Sequence, residues 1–241
     1  AAVHHHVLMK IALLGSAPSS RLLAPFNDPE WEIWSCSPGN MDLPRSDAFF
    51  EIHGPDTVLQ EQQYVDMGYI KYCQAHPRIY MQEVRPEFPG AVKYPMEEMS
   101  KRFGDYFWTS SLAYMLALAI DKKPEVIGLW GVDMQATDEW AHQRPGCHYF
   151  IQEAQRAGIE VYVPMESDIL EPPPPYGYRE SSRMWWKVNT RWKELHGKHQ
   201  QTTSEINQLN AKLAQLKRHQ ITLEGAMEDA QYICNTFYKE K

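Results

Sequence analysis

The stretch from Met9 to Ser20, MKIALLGSAPSS, constrains this chain more than any other. Four consecutive apolar residues, Ile11 to Leu14, stop at Gly15 and enter a turn of small residues. A helical pattern begins at Arg21. An unbroken short apolar run ending at glycine predicts a strand buried on both faces, the usual state of a parallel strand inside an α/β sheet. The turn after such a strand is where open α/β sheets hold phosphate or carboxylate groups. Gly15, Ser16 and Ser19 are therefore candidate anion ligands; the competing reading is an ordinary βα turn capped by Ser19 or Ser20. No P-loop lysine and no GxGxxG is present, so neither an ATPase nor an ordinary dinucleotide site is indicated.

The alternation continues downstream. Strands are predicted at 10–14, 32–36, 48–52, 78–81, 126–130 and 160–163, and helices at 21–26, 57–67, 96–103, 110–121 and 148–157, with Gly158 placed as a helix C-cap. That order predicts a Rossmann-like α/β domain, a mostly parallel sheet with helices on both faces, over residues 9–170. Residues 1–8, AAVHHHVL, read as tag or upstream sequence, and their histidines as a tag remnant rather than a metal site. Residues 171–190 read as a Pro/Trp-rich linker, since the prolines of EPPPPYGY fix φ and remove donors. Within 191–241, taking Trp192 as an a position, eleven of the fourteen a and d sites through Phe237 are apolar. A 3.5-residue period of that length predicts an α-helical coiled coil and hence a homo-oligomer. Gly225 falls at an outward f position; an intrachain hairpin breaking there is the alternative.

Composition narrows the function classes. A formal charge of −7 is not that of an electrostatic nucleic-acid binder, although basic residues interleave with tryptophans from Arg183 to Lys193. That segment reads first as a docking element for the stalk. The four cysteines form no CxxC pair and, with no signal peptide, read as reduced thiols of a cytoplasmic protein. No apolar run reaches the roughly 20 residues that span a bilayer.

Further candidates follow the predicted strands and helices. Thr109, Ser110 and Ser111 precede an almost wholly apolar helix, so three hydroxyls meet the positive end of its macrodipole. Asp133 follows the 126–130 strand and suits a ribose or sugar hydroxyl; the alternative is a turn cap. Asn40 can read a base or ribose, and His53 a phosphate or substrate, each against a plain loop reading. In the predicted polar loop 139–149, Arg144 suits a carboxylate or phosphate, while His142 and His148 titrate in the range useful for acid–base work. Zinc held by His142, Cys147 and His148 would match no standard spacing. No metal is assigned.

Three of these segments together resemble a known group. Gly15–Ser16–Ala17–Pro18–Ser19, Thr109–Ser110–Ser111 with Tyr114–Met115, and Ile127 to Met134 ending in Gly131–Val132–Asp133 are similar to the G-x-G-P-S, T-S-G and G-[IV]-D motifs of bacterial sialyltransferases. Related motility-accessory and pterin-pyrophosphokinase-like proteins share them. The whole chain is also similar to uncharacterised bacteriophage proteins, which would place it in a host cytoplasm. The sialyltransferase resemblance implies a Rossmann-like fold, a cytidine-monophosphate sugar bound without need of a metal cofactor, and a histidine base. On that reading Ser16, Ser19, Ser110 and Ser111 hold phosphate, and Asn40 and Asp133 position base or sugar. His148, or else His142, deprotonates the acceptor, and Arg144 stabilises developing charge. The rival expectations are a non-catalytic nucleotide binder, which senses or sequesters its ligand, and an oligomeric interaction protein on an inert scaffold.

Overall fold

The computed structural model describes residues 9–60, 62–135, 139–172 and 183–237. The predicted tag residues, and most of the Pro-rich segment, lie outside them. The chain divides into two units, Ala1–Leu170 and Glu171–Lys241.

The first unit is a Rossmann-like α/β fold around a seven-stranded sheet. Its strands are β1 (Lys10–Leu14), β2 (Trp31–Cys36), β3 (Ala48–Phe50), β4 (Ile79–Met81), β5 (Ala91–Lys93), β6 (Val126–Trp130) and β7 (Glu160–Tyr162). They pair in the order β5-β4-β3-β2-β1-β6-β7, and every pairing is parallel. The order reverses at β1: the chain winds outward through β2 to β5, then crosses back to β6 on the other side. A crevice therefore opens between the carboxyl ends of β1 and β6, the topological switch point of such sheets.

Burial follows the two-residue strand period. Ile11 and Leu13 join the main core under one face of the sheet, whereas Ala12 and Leu14 pack on the other with Ile33 and Trp130. The main core is filled by α5 (Ser111–Lys122), flanked by α4 (Met96–Phe103) and α6 (Arg144–Arg156). Every residue of α5 from Leu112 to Ile120 except Tyr114 is buried, as an apolar run without a polar stripe requires. The opposite face is covered over β3 and β4 by α3 (Tyr69–Ala75) and by Val58 of α1 (Pro55–Gln60).

Several elements differ from the sequence expectation. The helix expected at 21–26 is a single 3₁₀ turn, Arg21–Leu23, because Pro25 drives Ala24 into extended backbone (ψ 152°). The helix expected at 57–67 is helical over its described residues through Asp66, as α1 and α2 (Gln62–Asp66), and starts two residues earlier, at Pro55. α3 follows a left-handed Gly68 (φ +76°) and was not expected. Strand β5, also unexpected, is a three-residue edge strand with no apolar run to betray it. The loop expected at 139–149 is a π-helical turn, Glu139–Gln143, leading straight into α6, whose first turn carries Pro145 where proline suits a helix start. Gly158 takes the left-handed conformation (φ +78°) just after α6, as the C-cap reading requires.

In the second unit, α7 (Arg183–Thr236) is one helix of 54 residues, about 81 Å long at 1.5 Å per residue. Its first eight residues, 183–190, fall where the linker was expected. Its apolar positions, including Trp192, Leu209, Leu213 and Leu216, are exposed along the helix.

Leu116 is fully buried at the centre of α5. Leu116→Ala is expected to lower stability by about 2–5 kcal/mol, read from urea denaturation midpoints at unchanged m value.

Candidate functional site

The site is built on an unusually close meeting of two backbones. Gly15 at the end of β1 donates its N–H to Trp130 O at 2.9 Å, and Ala17 donates to Gly131 O at 2.9 Å. Gly131 in turn donates to the buried Ser20 Oγ at 2.8 Å. A Cβ on Gly15 would lie 2.3 Å from Gly131 O, and one on Gly131 would lie 2.4 Å from Gly15 O. Gly131 also adopts φ +65°, which favours glycine on its own account. Two of the turn's amides are thus engaged in joining the strand ends rather than aimed at a ligand.

Asn40 completes this joint. Its side-chain amide donates to Leu14 O at 3.1 Å, Gly15 O at 3.1 Å and Cys36 O at 2.8 Å, and the residue is 0% exposed. The expectation that Asn40 reads a base or ribose is corrected: it ties the β1 and β2 loops from within. Arg21 supports the same region from outside, pairing with Asp42 at 2.9 and 3.1 Å while donating to Gly39 O.

Over this joint lies a cavity of about 490 Å³, open to solvent. Gly15, Ser16, Ser110, Ser111 and Asp133 all line it, so the two hydroxyl-bearing turns meet at one rim. Ser110 Oγ caps α5 by accepting from Ala113 N at 3.3 Å and lies 3.5 Å from Cys147 Sγ. The positive end of an apolar, buried helix therefore opens on the cavity. Ser37, Gln135, Glu139 and Gln143 also contribute, none of them singled out from sequence. Ser37 (φ 76°) and Met134 (φ 50°) are non-glycine residues in left-handed backbone, and both line this cavity. Such strain gathers at ligand sites.

Asp133 is the acidic wall. Ser19 Oγ donates to its Oδ1 at 2.9 Å, so Ser19 orients the carboxylate rather than facing the cavity. Burial raises the Asp133 carboxyl above the usual range, opposed by the Ser19 hydrogen bond and helped by nearby Asp168. Burial likewise pushes the Cys36 and Cys147 thiols up to about 12, which keeps both neutral.

Arg144 and His148 are placed otherwise than expected. Arg144 is 3% exposed and donates to Asp133 O at 3.2 Å and Asp168 O at 2.6 Å. It clamps the loops after β6 and β7 together, and it is not among the residues that line the cavity. His148 is half-buried, its Nε2 pairs with Ile169 O, and it lines neither this cavity nor the next. The base role expected of it fails on placement. His142 is exposed in the π-helical turn and lines neither cavity. Among the described residues, no group of three or more His, Cys, Asp or Glu side chains is placed to hold a metal.

A second cavity, about 330 Å³, abuts the first across Ser110 and Ser111, which line both. His53, Thr109, Gln82, Trp108 and Tyr114 line it further. Thr109 Oγ1 donates to Gln143 O at 3.1 Å, and Gly146 lies so close beneath that a Cβ there would sit 2.2 Å from Thr109 Oγ1. That contact fixes the start of α6 against the entry to α5.

No family model matches the chain, and no curated protein matches it. Solved structures similar to it include the sialyltransferase CstII from Campylobacter jejuni in complex with cytidine-5'-monophosphate, at 16% identity over 64% of this chain and 79% of that one, TM-score 0.44. Also similar is the monofunctional alpha-2,3-sialyltransferase Cst-I from Campylobacter jejuni, at 14% identity over 68% and 78%, TM-score 0.43. Thiamine pyrophosphokinase from Bacillus subtilis is similar at 14% identity over 64% and 60%, TM-score 0.40.

Gly131→Ala adds a methyl where backbone already fills the space. It is expected to cost at least about 1–3 kcal/mol by overpacking and to open the cavity floor, read as a lowered urea midpoint.

Proposed function

We propose that the first unit binds a nucleotide-sugar in the switch-point cavity and transfers its glycosyl group to a hydroxyl acceptor. The observation that carries this is the convergence of Ser16, Ser110 and Ser111 with the N-terminus of α5 on one cavity at the carboxyl ends of β1 and β6. Hydroxyls and a helix N-terminus together favour a phosphate there. Asp133 supplies an acceptor for ribose hydroxyls or an exocyclic amine. On this reading the serines and the helix dipole neutralise the phosphate without a resident metal.

One observation favours a second reading, a nucleotide binder without turnover. Neither Lys nor Arg lines the cavity among the described residues, so the walls described there offer a departing phosphate hydroxyls and a helix N-terminus rather than a side-chain cation. A donor panel separates the two readings. With CMP, UDP and cyclic nucleotides at 100 times their Kd, binding adds about 2.7 kcal/mol to stability, seen as a thermal shift of several degrees. Ser111→Ala is expected to weaken that binding roughly tenfold, the equivalent of one neutral hydrogen bond. Release of nucleotide from CMP-N-acetylneuraminate or UDP-sugars then supports transfer, and binding without release supports the second reading. A protein whose unfolding no nucleotide shifts leaves neither standing.

The same proposal extends to assembly. The exposed a and d stripe of α7, with Leu209, Leu213 and Leu216 at its centre, is taken to pair with copies of itself, since a lone helix leaves that stripe in water. Sedimentation of the full chain should give an oligomer. Leu209→Asp combined with Leu213→Asp should give a monomer with the first unit intact.

A further inference from the structure

The residues of the second cavity are organised around a buried carboxylate. Glu51 follows β3 and is 3% exposed. Its Oε1 accepts from the His53 backbone N–H at 2.9 Å and lies 2.6 Å from His53 Nδ1, while its Oε2 accepts from the Tyr69 hydroxyl. Tyr69 is itself fully buried, and burial with the adjacent Glu51 charge raises its pKa, so it remains a donor. A carboxyl group with three hydrogen-bond partners around it is held in place. The His53 side chain, by contrast, is 61% exposed and lines the cavity.

This arrangement has a chemical consequence. A carboxyl oxygen 2.6 Å from Nδ1 accepts the ring hydrogen there, so Nε2 carries the lone pair of the neutral ring. The same carboxylate stabilises the imidazolium that forms when Nε2 takes a proton. The same cavity is lined by Trp108 and Tyr114, with ring centroids 5.0 Å apart, and by Gln82, whose amide donates to Ile52 O at 2.6 Å. An aromatic wall beside polar side chains suits a hydroxylated ring compound, apolar on one face and hydrogen-bonding at its edges.

We infer that the second cavity holds the hydroxyl-bearing acceptor, of saccharide type, and that His53 is the general base, with Glu51 its positioning residue. This rests on the reading that a nucleotide-sugar occupies the first cavity, with its scissile bond near Ser110 and Ser111, the residues common to both. In the step, His53 Nε2 takes the proton of an acceptor hydroxyl as that oxygen bonds to the anomeric carbon. The bond from the anomeric carbon to the phosphate oxygen breaks, and its electron pair leaves with the nucleotide. The imidazolium then returns its proton to water.

The test uses the full chain, each donor of the panel, and lactose or water as acceptor, with released nucleotide as the readout. His53→Ala and His53→Gln are expected to lower kcat at least 100-fold while leaving the Kd for the nucleotide within twofold, and added imidazole should restore part of the rate in His53→Ala. Glu51→Gln is expected to lower kcat with little change in KM. Nitrogen-15 histidine spectra should place the His53 hydrogen on Nδ1 in the unsubstituted chain and show that preference weakened in Glu51→Gln. A His53→Ala chain turning over within threefold of the unsubstituted protein overturns the base assignment and leaves the nucleotide-sugar reading intact. Loss of nucleotide binding in that variant, or an Nε2–H tautomer in the unsubstituted chain, also overturns it. If the unsubstituted protein releases nucleotide from no donor, the underlying reading falls and this inference falls with it.

Discussion

The contact between the backbones of Gly15 and Gly131 determines most of what this domain presents to solvent. Parallel strands β1 and β6 run side by side, yet the chains leaving them must part in opposite directions, because the winding of the sheet reverses there. Two glycines let the strand ends stay in contact for one residue longer than side chains would permit. The hydrogen bonds from Gly15 to Trp130 and from Ala17 to Gly131 close the floor. Ser20 and Asn40, both buried, occupy the remaining polar backbone atoms of that floor. What is left above is a cavity whose walls are side chains of diverging loops. Ligand chemistry is thereby separated from the groups that hold the loops in place.

The second constraint is the apolar helix α5. Because it is buried along nearly its whole length, its direction is set by the core and not by any ligand. Its N-terminus must emerge at the rim shared by β1 and β6, and the Thr109–Gly146 contact prevents its entry loop from sliding. Ser110 and Ser111 thus stand on a rigid element, where small displacements are resisted by packing rather than by weak loop contacts. Two cavities meeting over those serines follow from the same placement.

The sequence was legible where periodicity and composition act alone. The run Ile11–Leu14, the apolar residues 112–120 and the glycine-terminated strand at Trp130 each demand burial, and the α/β alternation arranged them. Short edge elements such as β5 and α3 left no comparable trace, since three or seven residues hold too little pattern to exceed the background of a loop. Side-chain roles were harder still. Arg144 and His148 are polar residues in a stretch that looked like a loop, so they looked available. The helix beginning at Arg144 turns the first inward against two carbonyls and sends the second to Ile169. Asn40 shows the same effect, a polar residue in a Ser-Pro-Gly turn that the fold uses as an internal tie. His53 was visible as a polar residue after an aromatic strand, but its pairing with Glu51 was not. The other oxygen of Glu51 is held by Tyr69 from α3, an element that local pattern did not announce.

The electrostatic balance of the cavity bears on how an anion would be held. Among the described residues, its charged lining residues are the carboxylates Asp133 and Glu139. A phosphate next to two carboxylates is unfavourable, since unit charges at 4 Å repel by about 4 kcal/mol at an effective dielectric of 20. Three features reduce that conflict. Burial already raises the Asp133 carboxyl toward its neutral form, and Ser19 engages one of its oxygens. The hydroxyls and the α5 N-terminus belong to the opposite elements of the rim, so the two kinds of wall can address different parts of one ligand. A molecule with an anionic group at one end and hydroxyl or amine donors at the other satisfies both walls, whereas inorganic phosphate alone satisfies one. On the proposed reading, a preference for a nucleotide over free phosphate would rest on this arrangement of charge rather than on any base-specific contact.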